Sequence, residues 1–349
     1  MTRRPGSVTL ADLGPEPCDL FLSINRLEQG TTSKGKPYLA LELGDAGGGI
    51  EARVWHDTPG FEEVAGLEAG AVVKVRGRRG EYKGTPQLVV DRIRPLGEDD
   101  EPGYDPARVH GPFLEAVADL ACASLVIDIE TAPLVDVRGL PQKLVEEVTR
   151  VATDRDWDID KVLGLNPLFS RVVSIALGDA DGAGGTVLLA PPDDEVAEVA
   201  GAAPGWMRVL DERTMLGSFW ALAARATLVV TYNGRGFDLP FLRTRSAILG
   251  VPVVTDLVSQ PPYQHRPHLD LYQVLIGQGR GAAPMNLDAA CFAFGIESPK
   301  DAMDGSMVGR AYRDRRYEDI ARYNLADIEA TRALYARLAD TVLPWLGGR

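Results

Sequence analysis

Two acidic side chains, Asp128 and Glu130, stand two residues apart at the end of the segment 124–130 (SLVIDIE). The apolar run before them predicts a central β-strand that is buried on both faces. Side chains at positions i and i+2 of a strand point to the same face, roughly 7 Å apart. Two buried carboxylates are costly unless cations neutralise them, and two divalent ions about 4 Å apart can do so while holding both oxygens of a phosphoryl displacement. The alternative is a strand end that has reached solvent, and this motif alone does not separate the two.

A second pattern, residues 231–240 (TYNGRGFDLP), leads a buried strand through a glycine-rich turn into a helix. Pro240 falls in the first helical turn, where proline is tolerated. The glycines indicate either a plain tight turn or a backbone that can approach a nucleotide, with Asn233 and Phe237 contacting it. Asp238 is correspondingly either a helix N-cap or a ligand at the same site.

A third pattern lies in the helix predicted from Glu318 to Asp340. Helical periodicity places Asp327 in the apolar, core-facing stripe, where an aspartate without a partner is unusual. Tyr323 lies four residues earlier, on the same face and one turn away. A tyrosine hydroxyl at that spacing can hold a water that a metal also binds. The alternative is an aspartate at the boundary of the core that touches solvent.

The three patterns follow one another as DxE on a strand, NGxxFD at a strand–helix turn and YxxxD on a closing helix. In this order they resemble the DEDD superfamily of 3′→5′ exonucleases, the DnaQ-like branch of the ribonuclease-H fold, in its tyrosine (DEDDy) variant. From about residue 122 to 341, the chain is similar to the exonuclease domain related to that of B-family DNA polymerases.

The resemblance implies a set of four metal-binding carboxylates: Asp128, Glu130, Asp238 and Asp327. It implies that they bind two Mg²⁺ or Mn²⁺ ions and that nucleoside 5′-monophosphates are released from a 3′ end. Tyr323 would orient the attacking water, and Asn233 and Phe237 would border the terminal nucleotide. His268 and Asp270 either support this site or serve the fold alone.

The strands and helices that must hold the candidate site residues are predicted to form two domains, residues 1–97 and 113–349. A linker at 98–112 joins them. In the first domain, alternating apolar and polar residues predict strands at 19–28, 38–43, 50–55, 71–78 and 87–94. A short helix at 61–67, between the third and fourth strands, gives the order of an all-β OB-fold barrel. The linker is rich in Gly, Pro and acidic residues and is predicted to be exposed.

The second domain alternates strands and helices, which predicts an α/β, ribonuclease-H-like sheet with helices on both faces. Its predicted strands are 124–130, 171–179, 185–190 and 226–233, and its predicted helices are 211–224, 239–249, 285–295 and 316–341. Residues 131–170 are interpreted as a helical insertion that either flanks a substrate groove or decorates the surface.

The first domain also resembles OB domains of the tRNA-anticodon type, over residues 34–57. Such domains hold single strands with basic groups along the backbone and aromatic rings under the bases. The candidates for these contacts are Tyr38, Trp55, Arg76, Arg78, Tyr82 and Lys83, with further basic groups at Lys34, Lys36, Arg53 and Arg79. A core position is the alternative for several of these aromatic residues, Tyr38 among them, and an equal alternative for Trp55.

Charge and cysteine content narrow the class of protein. The 349 residues carry a net charge of −13, and residues 1–97 are neutral overall. This charge excludes a nucleic-acid-binding protein that is basic throughout. It does not exclude a nuclease, because the metal ligands of a nuclease are themselves acidic. The three cysteines are far apart, which argues against disulfides and zinc and favours a reducing cytoplasm. No apolar run is long enough for a membrane span, and the N-terminus does not resemble a signal peptide.

Together these features predict a cytoplasmic, two-metal 3′→5′ exonuclease that acts on single-stranded ends delivered by the OB-fold domain. DNA is slightly favoured over RNA, although no residue is identified that senses a 2′-hydroxyl, and no protein partner is indicated. A non-enzymatic single-strand-binding protein is one alternative, against which the four acidic residues argue. An endonuclease on the same fold is another, and Tyr323 one turn before Asp327 favours the exonuclease.

Overall fold

The computed structural model describes residues 8–46, 48–67, 70–82, 84–100, 103–111, 113–261, 264–276, 286–298 and 303–345. The chain divides into two compact units. The first contains Met1–Ala121 and Ala224–Ala226, and the second contains Cys122–Ala223 and Thr227–Arg349.

Five strands of the first unit close into a barrel in the order β1-β2-β3-β5-β4. They are β1 (Cys18–Thr31), β2 (Pro37–Asp45), β3 (Gly48–Trp55), β4 (Val72–Tyr82) and β5 (Thr85–Pro95), with helix α1 (Phe61–Ala65) between β3 and β4. The apolar residues at alternate positions of the strands point inward, as Leu39 and Leu41 do. Gly60 precedes α1 with φ of 91°, where a Cβ would overlap the backbone of Ile93. The predicted OB-fold barrel is thereby confirmed.

The segment predicted as an exposed linker packs on the barrel at Asp100, which is only 3% exposed. Its carboxylate accepts hydrogen bonds from Lys74 Nζ at 2.9 Å and from Arg94 Nη1 at 2.6 Å. The hydrogen bond from Arg94 holds the pKa of the Asp100 carboxyl well below its usual range. The expectation of exposure is therefore wrong at this residue, because two basic side chains of β4 and β5 bind the carboxylate.

The second unit contains a six-stranded sheet in the order β11-β10-β6-β7-β8-β9. Its strands are β6 (Ser124–Pro133), β7 (Ser170–Asp179), β8 (Thr186–Leu189), β9 (Met207–Val209), β10 (Leu228–Thr231) and β11 (His268–Asp270). Strand β6 pairs in parallel with β10 and antiparallel with β7. It continues to Pro133, so Asp128 and Glu130 lie within the strand rather than at its end. Glu130 is 9% exposed, so the alternative of a strand end in solvent is wrong.

Helices complete both units. They are α2 (Pro106–His110), α3 (Gln142–Arg155), α4 (Ile159–Gly164), α5 (Val196–Ala202), α6 (Glu212–Ala223), α7 (Asp238–Leu249), α8 (Leu271–Leu275), α9 (Leu287–Phe294), α10 (Val308–Arg313) and α11 (Tyr317–Thr341). Helices α3 and α4 lie in the segment 131–170 that was predicted as a helical insertion, although its ends belong to β6 and β7, and the two helices share an apolar cluster of their own. Within the described residues, no helix combines the length and the apolar character that a membrane crossing needs.

Helix α11 packs on β6 and β7 through its apolar stripe. Ala321, Ile328 and Leu334 belong to one buried cluster with Val126 of β6 and Ala176 of β7. Because side chains alternate along a strand, the residues two and four positions after Val126 face the same side of the sheet. The fold therefore presents the DxE motif to the long helix that carries the YxxxD motif.

Candidate active site

Three carboxylates meet where α11 packs on β6. Asp128 and Glu130 come from the strand and Asp327 from the helix, and each offers an oxygen that lies within 4.8 Å of the other two. Asp327 is 7% exposed, so it is not a boundary residue in solvent. Mg²⁺ prefers oxygen ligands at about 2.0–2.1 Å, so ligands on opposite sides of the ion lie about 4.2 Å apart. The three oxygens are thus of the type that a divalent cation prefers, and small side-chain movements would bring them to these distances.

Burial and mutual repulsion disfavour the charged forms of these acids. Burial raises the pKa of Asp128 well above its usual range, and the neighbouring carboxylates of Asp327, Asp238 and Glu130 raise it further. Burial also raises the pKa of Asp238 to about 7, with Asp270 as the largest charged contributor. A cation would relieve both effects, since it replaces the lost water and offsets the negative charges.

Asp238 lies beside the three-carboxylate group, at the first residue of α7, and is 4% exposed. Phe237 occupies the N-cap position, so the alternative of Asp238 as the N-cap is wrong. Strand β10 pairs with β6 only as far as Val126. Beyond that point the backbone N–H of Ile129 donates to Asp238 Oδ1 at 3.3 Å. The carboxylate thus takes the place of a missing strand partner and is fixed next to the DxE motif.

The turn before Asp238 is held by polar groups of β10 and β11. Asn233 has a left-handed backbone with φ of 64°. Asp270 accepts hydrogen bonds from the backbone N–H groups of Asn233, at 2.9 Å, and Arg235, at 3.0 Å. Thr231 Oγ1 accepts from the N–H of Gly234 at 3.1 Å, and a Cβ on that glycine would overlap the threonine side chain. This turn therefore has a defined conformation, and Asp270 supports it.

His268 lies under the same turn and is 1% exposed. Its Nε2 lies 2.8 Å from Thr231 Oγ1. Burial lowers the pKa of His268 to about 3, so the imidazole is neutral at physiological pH. It therefore carries no charge for a substrate, and it contacts the threonine that accepts a hydrogen bond within the turn.

Tyr323 is 8% exposed and hydrogen-bonded to Asp327, one turn along α11. Burial raises the pKa of its phenol strongly, and the charges of Glu130, Asp327 and Asp128 add to the rise. The phenol therefore keeps its proton and acts as a hydrogen-bond donor at the cluster. Phe237 stands at the start of α7 with its ring 5.5 Å from that of Phe241.

Sequence reasoning missed Asn324. Its Nδ2 donates to Asp128 Oδ2 at 2.6 Å, and its Oδ1 accepts from Ser174 Oγ at 2.9 Å. Both Asn324 and Ser174 are fully buried. An amide next to Tyr323 in a core-facing helix was a signal, but the carboxylate that it binds is almost 200 residues away and lies on another element.

The barrel carries the second group of candidates. The rings of Tyr38 and Trp55 lie 5.7 Å apart. The Arg53 guanidinium lies between two tyrosines, 5.6 Å from the ring centre of Tyr38 and 5.5 Å from that of Tyr82. Trp55 is 44% and Tyr82 48% exposed, so the core alternative for Trp55 is wrong. We call these four residues the aromatic platform.

The basic candidates are partly neutralised within the barrel. Arg76 pairs with Asp19 at 3.3 Å and Arg78 with Asp91 at 3.1 Å. Exposed ion pairs of this kind contribute about 0–1 kcal/mol to stability, so a phosphate of the strand can replace the carboxylate as the partner of the arginine. Lys83 lies outside the described residues.

Two family models match the chain, and each match lies mainly within one of the two units. Residues 166–342, about half of the chain, match the family model described as "Predicted 3′-5′ exonuclease related to the exonuclease domain of PolB". The match includes Asp238, Tyr323 and Asp327, and the DxE motif precedes it. Residues 24–96 match the model described as "OB-fold nucleic acid binding domain".

Among curated proteins, the chain is similar to the 3′-5′ exoribonuclease YhaM of Bacillus licheniformis, with 38% identity over 98 residues. The match covers 28% of this chain and 30% of that protein. The 3′-5′ exoribonuclease YhaM of Halalkalibacterium halodurans is 36% identical over 25% of this chain and 26% of its own length. The chain thus spans less than a third of the length of these curated relatives.

Two solved structures are also similar. The family B DNA polymerase of Pyrobaculum calidifontis has 17% identity and a TM-score of 0.42, over 91% of this chain and 46% of that chain. A domain of replication protein A from Methanococcus maripaludis has 18% identity and a TM-score of 0.21, over 26% of this chain and 93% of that chain. On the match of half its length to the family model, this chain belongs to the family of predicted 3′-5′ exonucleases related to the exonuclease domain of PolB.

Proposed function

We propose that this chain is a metal-dependent 3′→5′ exonuclease that hydrolyses phosphodiester bonds from the 3′ end of single-stranded nucleic acid. The main support for the proposal is that Asp128, Glu130 and Asp327 each offer a carboxylate oxygen, and that these three oxygens lie within 4.8 Å of one another. Three buried or half-buried carboxylates at one point form a site for a hard cation. A chain that only bound strands would not need this concentration of negative charge against a polyanion.

Asp128, Glu130, Asp238 and Asp327 would hold two Mg²⁺ or Mn²⁺ ions. When bound, such ions lower the pKa of a water and stabilise the leaving oxygen. The protein supplies position and charge. The Tyr323 hydroxyl, kept protonated by its surroundings, donates its proton to Asp327, and its oxygen would accept a hydrogen bond from the water and so orient it.

The turn that Asp270 and Thr231 hold would border the terminal nucleotide. Asn233 lies at its start and Phe237 at its end, next to the ligand Asp238. A half-buried phenylalanine ring offers a face for a base, and the glycines let the backbone come close to the sugar. This arrangement favours a strand end over the interior of a strand.

The aromatic platform would hold the strand farther from its end. The exposed rings of Trp55 and Tyr82 and the half-buried ring of Tyr38 would stack on bases, and Arg53 adds a planar cation between the two tyrosines. Arg76, Arg78 and Lys83 would contact phosphates. Stacking accepts every base, so this binding is expected to have little sequence preference.

RNA is a second candidate substrate beside the DNA that the sequence slightly favours. The curated relatives are named 3′-5′ exoribonucleases, and they are similar to this chain over about a quarter of its length. Both nucleic acids present the same 3′ phosphodiester to the carboxylate cluster, so the cluster itself does not choose between them.

The test is digestion of matched 5′-labelled single-stranded DNA and RNA oligonucleotides with Mg²⁺, with Mn²⁺ and with a chelator. We expect 5′-labelled products that shorten stepwise from the 3′ end, release of nucleoside 5′-monophosphates and no cleavage of a circular single strand. Asp128→Asn is the matched variant, because its amide keeps an oxygen for Asn324 while it loses the charge. It should bind strands and cleave none.

Three results would count against the proposal. Cleavage of the circle would identify an endonuclease. Strand binding by the wild type without any metal-dependent cleavage would identify a non-enzymatic binding protein. Full activity of Asp128→Asn would show that the active site lies elsewhere in the protein.

A further inference from the structure

Asn324 connects the two elements that carry the carboxylate cluster, α11 and β6, with the neighbouring strand β7. It lies on α11 between Tyr323 and Asp327, and its side chain reaches Asp128 on β6 and Ser174 on β7. The two hydrogen bonds are 2.6 Å and 2.9 Å long, and both Asn324 and Ser174 are fully buried. One amide therefore ties a strand pair and a helix together at the site.

The chemistry of the partners gives the amide a single orientation. A carboxylate that binds a metal ion is ionised and can only accept hydrogen bonds, so the amide nitrogen of Asn324 must then face Asp128, as it does here. The amide oxygen is then left on the opposite side, where the Ser174 hydroxyl donates to it. A flipped amide would bring its oxygen against the Asp128 carboxylate. Ser174 thus anchors the far end of the amide, and Asp128 determines which end the nitrogen occupies.

The register of the sheet adds a second constraint. Ser174 pairs directly opposite Glu130 in the β6–β7 ladder. The chain of contacts from Ser174 through Asn324 to Asp128 therefore begins beside one carboxylate of the DxE motif and ends on the other. The hydrogen bond uses one lone pair of Asp128 Oδ2, and the carboxylate keeps other lone pairs for a cation.

We infer that Asn324 is a positioning residue that fixes the Asp128 carboxylate in its metal-binding orientation, with Ser174 holding the amide in place. The inference rests on the proposed function, since it gives Asp128 a metal to bind. Without Asn324 the Asp128 side chain could rotate away from Glu130 and Asp327, whose own positions would be unchanged. The expected effect falls on metal affinity and turnover and not on the affinity for the strand.

The experiment measures Mn²⁺ binding to the full-length protein by calorimetry, together with kcat and KM on a single-stranded oligonucleotide. The variants are Asn324→Leu, which has similar volume and no hydrogen bonds, and Ser174→Ala. Loss of a side chain that orients a metal ligand commonly weakens metal binding by about 10- to 100-fold, and we expect this for Asn324→Leu. For Ser174→Ala we expect about a fivefold loss, the size of one neutral hydrogen bond. KM should stay within about twofold of the wild type in both, because neither side chain is proposed to touch the strand.

Ser246→Ala is the matched control. Ser246 is also fully buried and accepts a hydrogen bond from Trp220 Nε1 at 2.8 Å. It lies eight residues along α7 from Asp238, about 12 Å at 1.5 Å per residue. This variant loses a buried hydrogen bond of the same kind, and its Mn²⁺ affinity should equal that of the wild type.

The outcomes separate this inference from the proposed function. A wild type that binds Mn²⁺ and cleaves, with an Asn324→Leu variant of equal Mn²⁺ affinity, overturns the inference alone. If Asn324→Leu does not fold, an Mn²⁺ affinity of Ser174→Ala equal to that of Ser246→Ala overturns it. A wild type that neither binds Mn²⁺ nor cleaves overturns both. Selective loss of Mn²⁺ affinity in Asn324→Leu and Ser174→Ala supports it.

Discussion

Lowering the pH from 8 to 6 is expected to weaken Mn²⁺ binding by at least tenfold. Burial raises the pKa of Asp238 to about 7, so near neutral pH a proton would compete with the metal ion that this carboxylate is proposed to bind. With that pKa the carboxyl is ionised to about 9% at pH 6 and about 91% at pH 8, a tenfold change or about 1.4 kcal/mol. The pKa of Asp128 is raised well above its usual range by burial, so its protonation weakens binding in the same direction.

The assay is calorimetric titration of metal-free protein with Mn²⁺ at pH 6, 7 and 8, in two buffers that differ in ionisation enthalpy. The difference between buffers counts the protons released, and Asp238 alone should release about 0.9 per binding event at pH 6 and about 0.1 at pH 8. The matched variant Asp238→Asn should lose this part of the pH dependence. An affinity that is equal at pH 6 and pH 8, with no proton release, would refute the reasoning.

Three further predictions concern single side chains. Tyr323→Phe should lower kcat by about 10²-fold, the size of a general acid–base group, with an unchanged unfolding midpoint; equal losses of activity and stability would assign the tyrosine to the core alone. Gly234→Ala should lower kcat/KM on a short oligonucleotide, because the new Cβ overlaps a side chain under the turn. Gly201→Ala, where a Cβ meets nothing within 4 Å, should not, and equal behaviour of the two would contradict the role of the turn. Trp55→Ala should weaken binding of a long single strand by about 1–3 kcal/mol and leave cleavage of a dinucleotide unchanged, whereas Trp345→Ala, which removes an even more exposed indole, should change neither.

Local periodicity predicted the parts of the site that depend on one element. The two-residue repeat of a strand placed Asp128 and Glu130 on one face, and the helical repeat placed Tyr323 and Asp327 on another. These repeats are properties of neighbouring residues. The order of the motifs then connected the elements, through resemblance to a family whose fold brings them together.

Contacts between distant residues were beyond such reasoning. Strand β11 has three residues, too few for a periodic signal, yet its Asp270 holds the turn at Asn233. The bond from Asn324 to Asp128 joins a helix to a strand, and neither segment contains its partner. Composition was misleading for Asp100, because acidic, Gly- and Pro-rich segments are normally solvated and this carboxylate is bound by Lys74 and Arg94.

The burial of Asp100 decides where the chain can be divided for study. A barrel fragment that ends at residue 97 would lack the acceptor for Lys74 and Arg94 and would leave two like charges close together on neighbouring strands. It would also lack the Arg108 carbonyl, which accepts from the N–H of Ala46 at 2.9 Å. A fragment must extend at least through residue 108 to retain these contacts, so the segment that resembles a tether by composition completes the packing of the barrel.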